Sequence, residues 1–214
     1  MNPKDLFLSY FPEFENHFET LDKLARLVEA KSAEVNITSI RDYESIWSKH
    51  IIDSLIPTRS DVFDIAEGVE ILDVGTGGGF PGLPLAIIYP EVHFTLLDST
   101  NKKLEIVNEF ANELSVKNIK TEWGRAEDHK KTYDYVFSRA VAYVDKLVDL
   151  TDPLVHSGGK IVLYKIYSED ELNDAELAAV DHGLDLLDVY YYSLDPRINE
   201  EGEGFDRMIL VFKR

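Results

Sequence analysis

The feature that most constrains this chain is a short apolar segment that runs directly into a cluster of glycines. Residues 71–74 are apolar and β-prone apart from Asp73, and Gly75, Gly77, Gly79 and Gly82 follow, before a helix-compatible stretch at 83–89. Glycines adopt positive φ and let a ligand approach the backbone. The helix that follows should direct its free N–H groups and its positive dipole end at an anionic group. A strand, a glycine-rich turn and a helix therefore predict a nucleotide-binding crevice.

Two known patterns fit this turn. The dinucleotide-binding fingerprint G-x-G-x-x-G fits at Gly77, Gly79 and Gly82. The pattern of S-adenosylmethionine (SAM) methyltransferases places an acidic residue two positions before G-x-G-x-G. It fits Asp73, followed by Gly75, Gly77 and Gly79. The second pattern explains more of the sequence and is favoured, with Asp73 expected to face the methionine end of SAM.

A second acidic residue, Asp98, supports a nucleoside ligand. It ends a predicted strand at 93–97, about 20 residues beyond the glycines, where a carboxylate can accept hydrogen bonds from ribose hydroxyls. The alternative is that Asp98, with Ser99 and Thr100, caps the following helix. Both roles are compatible, because Ser99 or Thr100 can act as the cap.

The order of predicted elements indicates an α/β fold. Residues 1–67 read as an N-terminal helical extension packed on the core, and residues 68–214 as a SAM-binding domain. Within that domain strands are expected at 71–74, 93–97, 119–123, 133–138, 160–164, 186–192 and 208–213, and helices at 83–89, 102–114, 143–150 and 169–180. This alternation predicts a Rossmann-like class I SAM-dependent methyltransferase: a mainly parallel seven-stranded sheet with helices on both faces. The last two strands should form an antiparallel hairpin, joined by an acidic loop near residues 196–204.

Composition limits the possible functions. The chain has 214 residues, no cysteine and a formal net charge of −18. The missing cysteines exclude thiolate metal ligands, and no metal site is predicted. We expect a soluble cytoplasmic protein, because no signal sequence or membrane-length apolar run is present. The negative charge argues against nucleic-acid binding, but residues 168–206 hold thirteen acidic residues and one basic residue. The middle of the chain is nearly balanced, which leaves room for a basic face at the cleft.

Several stretches together resemble the RsmG (GidB) family of bacterial 16S ribosomal RNA guanine-N7 methyltransferases. They are 74–82 (VGTGGGFPG), 97–99 with Lys102 and Lys103, 124–127 (GRAE), 138–140 (SRA), 36–40 (NITSI) and 50–55 (HIIDSL). The resemblance covers about 36–165, and the Phe-Pro-Gly after the glycines is its most specific part. Two departures, residues 31–35 without a Trp-Asn pair and the acidic late segment, concern the RNA-binding surface.

The resemblance implies SAM as cofactor and 16S rRNA as partner, with a small-subunit particle as the expected form of the substrate. Carried over by position, it implies SAM contacts at Gly75, Phe80, Ala126, Glu127 and Arg139. Gly77 and Asp98 complete the expected cofactor site, and Arg139 is the expected catalytic residue. Oligomeric state cannot be read from the sequence.

The expected chemistry needs no general base, because guanine N7 carries a lone pair and no proton. Catalysis would then come from proximity and orientation. Residues 138–140 lack the Asn/Asp-Pro-Pro-aromatic signature of amino-methylating enzymes, and without cysteine the chain cannot methylate cytosine C5 through a thiolate. Methylation of a small molecule or a protein, and a non-catalytic nucleotide-binding module, remain the alternatives.

Four other features could belong to the site. Two of them have two open interpretations each, and the other two are expected to be structural. Arg139 either steadies the guanine or a phosphate, or forms an ion pair that closes the cleft. Lys165 either contacts the RNA backbone or is a solvated strand end. His50 is expected to be structural. The three tyrosines at 190–192 are expected to pack in the core rather than to stack on bases.

Overall fold

A computed structural model of the chain describes residues 2–61, 63, 65–139, 142–194 and 206–214. Its centre is one seven-stranded sheet in the order β3-β2-β1-β4-β5-β7-β6. The strands are β1 (Glu70–Val74), β2 (His93–Asp98), β3 (Ile119–Trp123), β4 (Tyr133–Ser138), β5 (Val155–Ile166), β6 (Asp185–Tyr192) and β7 (Arg207–Lys213). The first five pair in parallel, and β7 lies antiparallel between β5 and β6. The predicted fold class and all seven strands are confirmed.

Helices cover both faces of the sheet. On one face lie α1 (Pro3–Tyr10), α2 (Phe18–Glu34), α5 (Gly82–Ile88) and α6 (Asn101–Leu114); on the other lie α7 (Val144–Thr151) and α8 (Glu169–His182). Strand residues alternate between the two cores: Ile71 packs in the first and Leu72 in the second. Among the described helices, none combines the length and apolar character that a membrane crossing requires.

The N-terminal helical region contains a π-helical turn. α3 (Tyr43–Ile46) continues into π-helical residues Trp47–Ile52 and then α4 (Asp53–Leu55), followed by a 3₁₀ turn at Ile56–Arg59. Trp47 is fully buried and stacks on Phe18, with ring centroids 5.1 Å apart. π-helical turns often accompany functional sites because they shift the side chains that follow. Here the turn directs His50 and Asp53 toward the end of β4.

One expectation about element limits differs from the structure, and one cannot be compared with it. β5 extends to Val155–Ile166 rather than 160–164, because Gly158 at φ 85° and Gly159 sit inside it where glycines predict a break. The amide of Gly158 donates to the Arg214 carbonyl (2.6 Å), which keeps the strand attached to the chain end. The acidic loop predicted to join β6 and β7 lies outside the described residues.

Candidate functional site

The glycine turn lies where the strand order reverses. Because β1 is flanked by β2 on one side and β4 on the other, the carboxyl ends of β1 and β4 border the crevice where α/β sheets bind ligands. Gly75, Gly77 and Gly79 all have positive φ, at 74°, 58° and 94°. Among the described residues, a Cβ on Gly77 would meet only the Gly75 carbonyl, 3.9 Å away, so that part of the structure leaves the space above the turn open.

Asp73 does not face this open space. Its side chain is fully buried, and Oδ2 accepts hydrogen bonds from Thr76 Oγ1 (2.7 Å) and from the amide of Gly82 (2.9 Å). Burial raises the pKa of Asp73 to about 6, although these two hydrogen bonds oppose the rise. The expectation that Asp73 faces the methionine end of SAM is therefore wrong. A turn this tight folds around the carboxylate and removes it from the crevice.

This position of Asp73 also separates the two patterns that fit the glycines. The first amides of α5 are not free: that of Gly82 binds Asp73 and that of Leu83 binds the Gly79 carbonyl (2.7 Å). A dinucleotide pyrophosphate normally occupies this helix end. Here the protein's own carboxylate holds it and would repel a phosphate. The geometry disfavours the dinucleotide pattern, and the expected anion-binding role of the helix end is not realised.

Asp98 holds the turn from the neighbouring strand. Its Oδ2 accepts from the amide of Gly77 (2.9 Å) and its Oδ1 from the amide of Thr100 (2.8 Å). Thr100 is the N-cap residue of α6 and makes no side-chain capping hydrogen bond, so Asp98 fixes the residue that precedes the helix without capping the helix itself. Each carboxylate oxygen retains acceptor capacity, because an ionised carboxylate offers about four lone-pair sites. The carboxylate can therefore order the turn and still accept a hydroxyl.

The residues after β3 reach the same edge of the sheet. The amide of Gly124 donates to the Asp98 carbonyl (3.2 Å), and a 3₁₀ turn at Ala126–Asp128 follows. Ala126 is buried in one cluster with Val74 and Leu97, whereas Glu127 is exposed. Ala126 and Glu127 thus follow the carboxyl end of β3, which pairs with β2, the strand that ends in Asp98.

Arg139 follows β4 and joins the sheet to the π-helical turn. Its Nη1 lies 2.9 Å from Asp53 Oδ2 and 3.3 Å from the Lys49 carbonyl. Asp53 is buried, and its Oδ1 also accepts from the Tyr192 hydroxyl (2.7 Å). Arg139 thus forms an ion pair, as one of its two interpretations predicted, and its contact with the guanine or a phosphate stays a prediction. The tyrosine triplet is divided: Tyr192 is buried as expected, while Tyr191 is 39% exposed.

His50 and Phe80 complete the contact between the two regions. Their rings stack with centroids 4.6 Å apart, and the Arg139 guanidinium lies 5.6 Å from the Phe80 centroid. His50 Nδ1 lies 3.2 Å from Arg139 Nη2 and therefore accepts, so Nε2 carries the proton and donates to Thr38 Oγ1 (2.8 Å). Burial, followed by the nearby Arg139 charge, lowers the pKa of His50 to about 3. His50 is a neutral structural residue, as predicted.

Lys165 is not the solvated strand end that was one of its two predicted environments, whereas its contact with the RNA backbone stays a prediction. It is buried, its Nζ donates to the Ala142 carbonyl, and it forms an ion pair with Glu171 Oε2 at 3.0 Å. Lys165 is the second-last residue of β5, just before the exposed Ile166, because the strand continues further than predicted.

A cleft of about 660 Å³ opens beside Arg139 at the carboxyl ends of β4 and β5. The sequence did not single out Tyr143, Lys146, Ile166 or Glu171, which line it. Each belongs to an otherwise ordinary element end, so no local pattern marks it. The partnership of Asp53 with Arg139 was also missed, since the two are 86 residues apart.

The strand order, with its antiparallel β7, and the glycine turn around a buried acid define a Rossmann-like SAM-dependent methyltransferase. Fibrillarin from Aeropyrum pernix, solved with bound SAM, has the same fold, with a TM-score of 0.58 at 16% identity over 75% of this chain and 73% of that one. Residues 17–194 match the profile of the GidB family, described as rRNA small subunit methyltransferase G. The chain belongs to this family of SAM-dependent methyltransferases.

Curated relatives agree with this assignment. The ribosomal RNA small subunit methyltransferase G of Lachnoclostridium phytofermentans is 42% identical over 67% of this chain, and the match spans 62% of that relative. The protein of the same name from Lysinibacillus sphaericus is 32% identical over 94% of this chain and 82% of its own length. The resemblance detected in the sequence is confirmed.

Proposed function

We propose that this protein transfers the methyl group of SAM to N7 of a guanine in 16S ribosomal RNA, acting in the cytoplasm. The observation that carries the proposal is the family match across residues 17–194, which includes the glycine turn, Asp98 and Arg139. The relatives bear the name of an enzyme that methylates the RNA of the small ribosomal subunit.

The residues present fit SAM as the donor. The space above Gly77 is open, and the carboxylate of Asp98 at the turn can accept ribose hydroxyls. We assign cofactor contacts to Gly75, Gly77, Phe80, Asp98, Ala126, Glu127 and Arg139. When bound, SAM supplies an electrophilic methyl group. The buried carboxylate of Asp73 would attract the positive sulfonium of SAM, whereas it would repel the negative pyrophosphate of a dinucleotide.

The protein's own task is then to place the acceptor. N7 of guanine is unprotonated and attacks through its lone pair, so no side chain has to remove a proton. The neutral His50 and the charged Asp53 fix the guanidinium of Arg139 between the glycine turn and the cleft at β4 and β5. We assign to Arg139 the role of orienting the acceptor through its remaining N–H groups.

The acceptor base should be unpaired or extruded, because N7 lies in the deep, narrow major groove of an RNA helix. A partly assembled small subunit is a better substrate than naked RNA for a protein of net charge −18. Recognition of a shaped surface would supply part of the affinity that phosphate contacts alone cannot.

One experiment tests the activity. N7-methylguanine is mapped in 16S rRNA from cells with and without the gene, and one such guanine should be lost without it. The purified protein should then restore that methyl group on subunits from the deficient strain. An unchanged methylation map would contradict the proposal, and binding of NAD but not SAM in calorimetry would overturn the cofactor assignment.

A further inference from the structure

The cleft beside Arg139 has a lining that suits a nucleobase. Tyr143 and Ile166 line it with side chains that are 66% and 70% exposed. An exposed aromatic ring is a stacking surface for nucleobases. Lys146 lies 6.0 Å from the Tyr143 centroid and forms no ion pair with any residue in the described ranges, so its charge is available to a phosphate.

Among the described residues that line the cleft, Glu171 supplies the single carboxylate. Its Oε2 accepts from the amide of Val144 (3.1 Å) and lies 3.0 Å from Lys165 Nζ, which hold the side chain in place. Its Oε1 accepts no hydrogen bond from the part of the chain that the structure describes. Lys165 has three N–H donors, two of which are engaged with Glu171 and the Ala142 carbonyl.

This pair matches one nucleobase. Guanine presents two donors, N1–H and the N2 amino group, beside the acceptor O6. A fixed carboxylate next to an ammonium complements that edge, whereas adenine would present its N1 lone pair to the carboxylate. N7 lies on the opposite side of the purine from N1 and N2. A guanine anchored at Glu171 therefore turns N7 away from that carboxylate, into the cleft that Arg139 also lines.

We propose that Glu171 is the residue that selects guanine: its carboxylate accepts from N1–H and N2–H of the extruded base, which stacks on Tyr143. This inference rests on the proposed function, since it names the acceptor contact of that reaction. Lys165 and the Val144 amide act as positioning groups for the carboxylate.

The test combines two enzymes with two substrates. Small subunits from the deficient strain are reconstituted with 16S rRNA that carries either guanine or inosine at the mapped position. Inosine keeps N7 and N1–H but lacks the amino group. The wild-type enzyme should methylate guanine at least about tenfold more efficiently than inosine in kcat/KM, because an unpaired buried acceptor is costly. In Glu171→Gln the kcat/KM for guanine should fall by more than this factor, because the N1–H contact is lost together with the N2 contact. The kcat/KM for inosine should fall less, and the guanine-to-inosine ratio should approach one.

Glu169→Gln is the matched control. Glu169 lies in the same first turn of α8 but is exposed and does not line the cleft, so this variant removes the same charge from the helix end. It should keep both the rate and the ratio, and both variants should bind SAM as the wild type does. Equal methylation of inosine and guanine by the wild type would overturn the inference, even if Glu171→Gln were inactive or unstable. An unchanged ratio in Glu171→Gln would do the same. If the wild type methylated N7 on neither the guanine particle nor the inosine particle, the proposed function would fail and this inference with it.

Discussion

Single residues in this site are set by their surroundings more than by their type. Asp73 and Asp98 both follow apolar strand residues, yet the first is sealed under the glycine turn and the second supports that turn from β2. A carboxylate taken from water needs hydrogen bonds to stay charged. Asp73 has an Oδ1 without a partner in the described part of the chain, and its pKa is accordingly raised to about 6.

Gly77 tests where the cofactor lies. In Gly77→Val, the side chain would project from a residue at φ 58° into the open space above the turn. We expect SAM binding to be abolished, as measured by calorimetry, because valine both fills the crevice and is strained at positive φ. Circular dichroism checks that the variant is folded. A folded variant that binds SAM with wild-type affinity would place the cofactor elsewhere.

His50 gives a pH dependence whose sign is fixed by its environment. Its pKa falls from 6.5 to about 3 on folding, so the unfolded chain binds a proton that the folded chain refuses. The free energy of unfolding keeps its full value with respect to His50 above pH 6.5. It falls as the pH drops from 6.5 toward 3, by at most about 1.4 kcal/mol per pH unit. In His50→Gln the free energy of unfolding, measured in urea, should depend less steeply on pH in this window. A slope equal to that of the wild type would show that folding does not lower the pKa of His50.

At the scale of elements, close packing rather than propensity determines how α5 meets the sheet. A Cβ on Gly82 would lie 2.2 Å from Leu96 Cδ2 and 2.9 Å from Asp73 Oδ2. The absence of a side chain lets the start of α5 rest on β1 and β2, and that contact in turn orders the glycine turn. The π-helical turn at Trp47–Ile52 has a comparable role, since it presents His50 and Asp53 to Arg139.

Gly82→Ala should therefore loosen α5. We expect a loss of about 1–3 kcal/mol in the free energy of unfolding, because the new methyl group overpacks the contact with Leu96 and Asp73. Gly78→Ala is the control: its nearest heavy atoms would be 3.7 Å away, and Gly78 is not among the glycines with positive φ. Thermal unfolding should distinguish the two, and equal stability would contradict this account of the turn.

The N-terminal helices are attached through an aromatic contact. Trp47 is fully buried between Phe7 and Phe18, so Trp47→Ala should lower the free energy of unfolding by about 3–5 kcal/mol. Trp123 is 70% exposed, and Trp123→Ala should change the stability by no more than about 0.5 kcal/mol. Urea unfolding of both variants measures the difference. If Trp47→Ala lost as little stability as Trp123→Ala is expected to lose, the N-terminal helices would contribute little to the core.

At the scale of the whole molecule, a net charge of −18 opposes both folding and RNA binding. Self-repulsion destabilises the compact state, whereas the cleft at β4 and β5 is lined by Arg139, Lys146, Lys165 and Arg207. Acidic side chains are exposed on α8, on the face of the sheet that also carries α7. The fold thus keeps cations at the cleft although the chain as a whole is acidic.

Salt should therefore stabilise the protein. Raising the ionic strength from about 0.01 M to about 0.15 M shortens the Debye length from about 30 Å to about 8 Å and weakens the repulsion. We expect Tm to rise over this range, measured by scanning calorimetry. The exposed acids Glu176 and Asp181 provide a control, since their replacement by Gln and Asn should reduce the rise. A Tm that falls with salt would show that ion pairs outweigh the repulsion.

The sequence by itself determined the fold class, the seven strands and the family, because these depend on local periodicity and on glycines whose positive φ few other residues tolerate. The tertiary structure decided that Asp73 is sealed under the glycine turn while Asp98 supports the turn from β2, that Arg139 binds Asp53, and that Tyr143, Ile166 and Glu171 share a cleft. Such contacts join residues far apart in the chain through packing and desolvation. Neither effect leaves a pattern within any one stretch of sequence.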